Sequence, residues 1–206
     1  MLTTRYKSAF NRVFDPLAEV LVRCGIRPSM VTLGGLALVA GNCAFLLLTR
    51  NVVLFCVLTG IFGTFDALDG AVARRSGLAT PFGAYLDAIC DRYAELLVVC
   101  TVAIVTRTWL LSLLLLGGSL LISYAKARAA MEVPVSNSEW PDLMERTERG
   151  VVYLVGLMAG SILPWRPLGH GVFWWTLVIL VVLVHATALQ RILRARGLIQ
   201  ARAAGR

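Results

Sequence analysis

Six apolar runs, at about 30–49, 52–73, 82–106, 108–125, 150–165 and 171–190, take up most of this 206-residue chain. Roughly 20 apolar residues cross the hydrocarbon core of a bilayer as one helix, so each run is close to the length of a span. The polar breaks between them are short and leave no room for a sizeable soluble domain. Soluble domains are about half apolar and a quarter charged; here 58% of residues are hydrophobic and 16% charged, with a mean hydropathy of +0.75. The expected fold is an all-α integral membrane protein, with six transmembrane helices preceded by an amphipathic juxtamembrane helix.

That first helix is read from residues 1–27. Tyr6, Phe10, Val13, Phe14, Leu17, Val20 and Leu21 recur at helical spacing, with Arg5, Lys7, Arg12 and Arg23 between them. Such a stripe lies in a membrane interface. The bundle is expected over 28–195 and a basic tail over 196–206. Of the 20 Lys and Arg, only Arg50, Arg107 and Arg166 fall on one side of a six-span arrangement. The positive-inside rule therefore puts both termini on the cytoplasmic side of a cell membrane. The net charge of +8 thus reports topology and contact with anionic headgroups, and no nucleic acid partner is expected. Cys24, Cys43, Cys56, Cys90 and Cys100 form no CxxC pair and read as small buried hydrophobes. His170 and His185 show no metal-ligand spacing.

Four of the 12 acidic residues, Asp66, Asp69, Asp87 and Asp91, sit where the second run ends and the third begins. A carboxylate at membrane depth costs several kcal/mol unless it is paired, bound to metal or facing water. Asp66 and Asp69 are three apart and Asp87 and Asp91 four apart, so each pair shares a helix face. Between them Gly77 and Thr80-Pro81 turn the chain, Thr80 suiting an N-cap and Pro81 the first helical position. The resulting hairpin aims four carboxylates into one cleft near the cytoplasmic surface. Hard oxygen donors without His or Cys favour Mg²⁺ or Mn²⁺, and a pair of such ions suits phosphoryl chemistry. A salt-bridge cluster with Arg74, Arg75 and Arg92 is the non-catalytic alternative.

In full the segment reads Asp66-x2-Asp69-Gly70-x2-Ala73-Arg74-x8-Gly83-x3-Asp87-x3-Asp91. It resembles the signature of the CDP-alcohol phosphatidyltransferase family at all eight fixed positions. Gly70 and Gly83 keep the helix faces low for a nucleotide, and Arg74 can reach a phosphate oxygen. The resemblance implies a CDP-linked lipid bound by Ser29, Met30, Val31, Thr32, Gly70, Arg74 and Thr80. It also implies two metal ions on the diphosphate, held by Asp66, Asp69, Asp87 and Asp91. Asp91 is implied as the base that activates an acceptor hydroxyl, after which CMP leaves. Carboxylates crowded in a partly apolar wall take up protons more readily, which suits general-base work. For Ser29, Thr32 and Thr80, helix capping and back-bonding are the ordinary alternatives.

Three further cations are expected on the same side. They are Lys126 in Ser123-Tyr124-Ala125-Lys126-Ala127-Arg128, Arg149 in Glu145-Arg146-Thr147-Glu148-Arg149, and Arg191 after Gln190. Each alone could simply snorkel to the interface; together they could bind an acceptor phosphate. These stretches are similar to the phosphatidylinositol-phosphate synthase branch and its archaeal relatives, with two departures: Thr147 stands where proline is usual, and Ser29 where asparagine or aspartate is. The resemblance implies transfer from CDP-diacylglycerol or CDP-archaeol to inositol 1-phosphate by a homodimer. Glycerol 3-phosphate as acceptor is the close rival. A cation-coupled transporter is the rival from another class, though the chain lacks two related halves with paired broken helices.

Overall fold

The structure, a computed structural model, describes residues 15–133 and 143–204, apart from the side chains of Asp66, Ala67, Ala203 and Ala204. Tyr6, Phe10, Val13 and Phe14 of the expected interfacial stripe lie outside the described residues. Every regular element among those described is helical. These are α1 (15–23), α2 (Pro28–Thr49), α3 (Val52–Phe62), α4 (Phe65–Ser76), α5 (Pro81–Thr106), α6 (Trp109–Glu132), α7 (Arg146–Ile162) and α8 (Val172–Ala204), with one 3₁₀ turn at Pro167–Gly169. Two compact units divide the chain within α5, one covering Met1–Thr101 and the other Val102–Arg206.

In the first unit α2 packs on both α3 and α4. Pro28 opens α2 in the first turn, where its missing N–H is not needed. Arg50 ends it in the left-handed region at φ 58°, its N–H donating to the Leu46 carbonyl. The apolar run expected as one span over 52–73 is broken between α3 and α4. Gly63 and Thr64 break it: the Thr64 hydroxyl donates to the Ile61 carbonyl at 2.6 Å, a side-chain bond that competes with helix continuation. Buried Asn42 ties α2 to α3, its Nδ2 donating to the Phe55 carbonyl (3.1 Å) and to Thr59 Oγ1 (2.9 Å). Between apolar helices such amide bonds fix which faces meet.

α1 turns buried Ala18 inward, with Leu21 and Val22 partly buried beside it, against Val31, Leu68, Ala71 and Val72 of α2 and α4. Leu17 and Val20 remain exposed. The helix therefore has two apolar sides, one against the protein and one that still suits an interface.

In the second unit α8 packs against α6 and α7, and glycines set the closeness. A Cβ on Gly118 would come within 2.5 Å of Val184 Cγ2, one on Gly156 within 2.3 Å of Thr176 Cγ2, and one on Gly160 within 2.7 Å of Phe173 Cβ. Small residues at such crossings let helix backbones approach. α8 continues through 195 to Ala204, so the described part of the expected tail is helical.

Among the described residues three helical stretches are long and apolar enough to cross a membrane: Pro28–Thr49, Trp109–Glu132 and Val172–Arg202. α3 has 11 residues and α7 has 17, and α5 carries Asp87, Asp91, Arg92 and Glu95 among its first 15 residues. Large apolar side chains such as Leu48, Leu110, Leu113 and Val182 are more than three-fifths exposed. A water-facing surface does not tolerate such density, and the protein is a membrane protein.

Candidate active site

The signature residues of the first unit sit on α4 and the start of α5. α4 stops at Gly77, which takes φ 67°, a conformation glycine adopts without a Cβ clash. The chain re-enters a helix at Pro81, and the Gly83 N–H donates to Thr80 Oγ1 at 3.0 Å. Thr80 is thus the N-cap that the sequence pattern predicts.

Asp69 is 6% exposed, and Thr32 Oγ1 of α2 donates to its Oδ2 at 2.6 Å. The same hydroxyl lies 3.1 Å from the Pro28 carbonyl, so the ordinary back-bond and the site contact coexist. Asp87 lies early on α5, after the turn at Gly77 that ends α4. Asp91 follows one turn after Asp87 and is half-buried. Asp66 lies on α4, its side chain outside the described residues. Among the described residues no three His, Cys, Asp or Glu side chains form a group that could hold an ion. The donor chemistry nonetheless fits a hard divalent cation: Asp69, Asp87 and Asp91 offer only carboxylate oxygens.

Arg74 folds back along α4, and a Cβ on Gly70 would stand 3.3 Å from its Nη1. A side chain at 70 would push the guanidinium aside. Ser29 is half-buried and Met30 exposed at the start of α2, whereas Val31 turns into the core with Ala18 and Leu68. Arg75 does not join a carboxylate cluster with Arg74: it pairs with Glu19 at 2.9 Å and Asp15 at 3.6 Å, on α1. Arg92 pairs with Glu95 at 2.7 Å.

In the second unit Arg149 and Arg191 are 7% and 8% exposed, and both grip α6. Arg149 Nη2 donates to Ser119 Oγ at 3.2 Å and its Nη1 to the Met144 carbonyl at 3.1 Å. Arg191 Nη1 donates to the Ile122 carbonyl. Ser119, Ile122 and Lys126 are three and four residues apart and share one face of α6. The flanking residues have structural tasks. Glu145 and Glu148 form a capping box at the start of α7, and Gln190 Oε1 accepts from the Leu143 N–H at 3.1 Å. The sequence pattern did not point to Ser119. Its signal was a hydroxyl seven residues before Lys126 in an otherwise apolar stretch.

The CDP-alcohol phosphatidyltransferase family model matches residues 25–186. The chain belongs to this family. A phosphatidylinositol phosphate synthase of Mycobacterium tuberculosis (strain ATCC 25618 / H37Rv) is 34% identical over 203 residues, covering 94% of this chain and 91% of that protein. One from Corynebacterium glutamicum is 35% identical over 158 residues, 70% of this chain and 68% of that protein. The crystal structure of the M. tuberculosis synthase with CDP-DAG bound superposes with a TM-score of 0.77 at 31% identity, over 89% of this chain and 94% of that one. A second, in complex with manganese and citrate, gives 0.77 at 30% identity over 88% of each. The protein is accordingly a CDP-alcohol phosphatidyltransferase, an enzyme of phospholipid synthesis that works with a divalent metal.

Proposed function

We propose that this phosphatidyltransferase moves a phosphatidyl group from CDP-diacylglycerol, or its ether-linked counterpart CDP-archaeol, to a hydroxyl of inositol 1-phosphate and releases CMP. The observation that carries the acceptor is the convergence of Arg149 and Arg191 on the α6 face that continues to Lys126. Buried guanidiniums are retained where an anion or a fixed acceptor compensates them, and three cations on one face suit a phosphate monoester. The names of the relatives support the same acceptor. A free polyol or serine offers no phosphate to such a face.

In this reading Arg74, over Gly70, binds a donor phosphate oxygen. Ser29, Met30 and Thr80 line the approach of the CDP group, Val31 backs them from the core, and Thr32 acts beside them through Asp69. Asp66, Asp69, Asp87 and Asp91 hold two Mg²⁺ or Mn²⁺ ions. When bound, the ions neutralise charge on the diphosphate. Asp91 takes the proton of the acceptor hydroxyl as it attacks the lipid-side phosphorus.

The chain spans a cell membrane six times as a homodimer, with α1 in the interface and the termini and catalytic face cytoplasmic. α8, with 33 residues, is about 50 Å long, well beyond a hydrocarbon core of roughly 30 Å. About 20 residues from Val172 reach the level of Arg191, and the arginines beyond it then meet headgroups.

CMP release by the purified protein tests the proposal. CDP-diacylglycerol, Mg²⁺ or Mn²⁺ and a panel of inositol 1-phosphate, glycerol 3-phosphate, inositol and serine are the reactants. Release with inositol 1-phosphate above all others is expected; preference for glycerol 3-phosphate would overturn the acceptor assignment.

A further inference from the structure

We infer that Ser119 is a positioning residue for the phosphorylated acceptor, acting through Arg149. This rests on the acceptor-pocket reading above and adds a residue that the family signature does not contain.

Ser119 lies midway along α6, between Gly118 and Leu120, in one of the three stretches apolar enough to cross a membrane. It is 1% exposed, and packing alone would be served there by alanine. Its Oγ accepts from Arg149 Nη2 across 30 residues of sequence, while the Met144 carbonyl accepts from Nη1. A guanidinium is planar, so two acceptors on different terminal nitrogens fix both its position and its plane. The fork carries five N–H donors in all, enough to hold two protein acceptors and still face an anion. Loss of the Ser119 contact removes one of the points that hold the plane.

The placement of Ser119 is itself rigid. At the neighbouring position a Cβ on Gly118 would stand 2.5 Å from Val184 Cγ2, so α6 is pressed against α8 at this level. Its own carbonyl accepts from Ser123 Oγ at 3.3 Å. One turn on, the Ile122 carbonyl takes Arg191. α6 is therefore the rail on which both buried arginines are aligned, with Lys126 at its far end. Of these two anchors, Ser119 is supplied by a side chain and Ile122 by the backbone, so Ser119 is the one that substitution can remove.

The test is steady-state CMP release by Ser119→Ala, Arg149→Ala, Lys126→Ala and the doubles Ser119→Ala/Arg149→Ala and Ser119→Ala/Lys126→Ala. Ser119→Ala is expected to raise the KM for inositol 1-phosphate on the order of tenfold, the effect of one hydrogen bond to a charged group, with the KM for CDP-diacylglycerol within about twofold of native. Its effect should vanish in the Arg149→Ala background and persist in the Lys126→Ala background, as coupling through one partner requires. Ser119→Cys, which keeps the size and a weaker acceptor, should fall between serine and alanine, and supplies the series if the alanine variant does not fold. An additive effect in the Arg149→Ala background, or equal rises in both KM values, would overturn the role of Ser119 while leaving the pocket in place. An Arg149→Ala variant with a native acceptor KM would instead overturn the pocket reading, and this inference with it.

Discussion

The hydroxyl of Thr32 donates to Asp69 Oδ2 at 2.6 Å, joining the second turn of α2 to the carboxylate of α4. A hydroxyl that holds one carboxylate oxygen fixes which lone pairs the other presents. Partners of this kind orient the groups that bind an ion. Thr32 thus has a task the sequence did not assign, in addition to its proposed place beside the donor nucleotide.

Thr32→Val keeps the β-branched shape and deletes the donor. It is expected to lower activity or metal affinity between about tenfold and 100-fold, seen as a raised Mn²⁺ concentration for half-maximal CMP release. Thr32→Ser should retain most of the native value. A valine variant with native metal dependence would show that the bond has no such role.

Asp91→Asn tests the base. Asn is close in size but cannot accept the hydroxyl proton, so turnover should fall by at least the factor of roughly 10²–10⁴ that general-base catalysis contributes. CDP-diacylglycerol should still bind, as measured by equilibrium binding to the purified variant. Near-native CMP release would move the role to another carboxylate.

Local signals were legible in the sequence where the chemistry is local. Thr80 and Pro81 predict the start of α5 because an N-cap needs only three residues to show itself. Gly77 predicts the turn because the end of α4 needs a positive φ. The spacing of the aspartates along α4 and α5 is an equally short-range pattern. The split of the second apolar run at Gly63 and Thr64 was not legible, since hydropathy does not register a hydroxyl bonding back to its own helix. Nor were the tasks of Arg75 and Ser119. Their partners, Glu19 and Arg149, are 56 and 30 residues away, and only the folded chain brings them together. The two glutamates before Arg149 belong between these cases. Their three-residue spacing is that of a capping box, a physical reason for a stretch first read through resemblance.

The α7–α8 crossing predicts a second kind of sensitivity. A methyl group at Gly160 would lie 2.9 Å from the Phe173 backbone nitrogen as well as 2.7 Å from its Cβ, so α8 itself must move. Gly160→Ala is expected to destabilise the protein by about 1–3 kcal/mol, the usual cost of overpacking. At Gly150, on the same helix, a methyl group would meet nothing within 4 Å, and Gly150→Ala should be neutral or stabilising by up to about 1 kcal/mol through helix propensity. Thermal unfolding in detergent separates the two; equal Tm values would mean that the crossing adjusts freely.

The contact between α1 and α4 predicts a dependence on pH. Arg23 first, by hydrogen bond and by charge, and then Arg75 hold the Glu19 carboxyl below its ordinary value. Arg23 lies on α1 itself, so only the Arg75 share of this lowering stabilises the docked state above the unfolded value, about 4.3, and that share is lost as pH falls through the lowered folded value. Across pH 5 to 8 the docking of α1 should therefore be constant, and it should loosen only in more acidic solution. Because these groups are exposed, high salt should weaken the same contact. Arg75→Glu places a like charge beside Asp15 and Glu19 and should speed amide hydrogen exchange over residues 15–23 at neutral pH, more than Arg75→Ala does. Glu19→Lys in the Arg75→Glu background restores opposite charges and should slow it again. Native exchange in Arg75→Glu would mean that Ala18, Leu21 and Val22 hold α1 against α4 without help from the ion pairs.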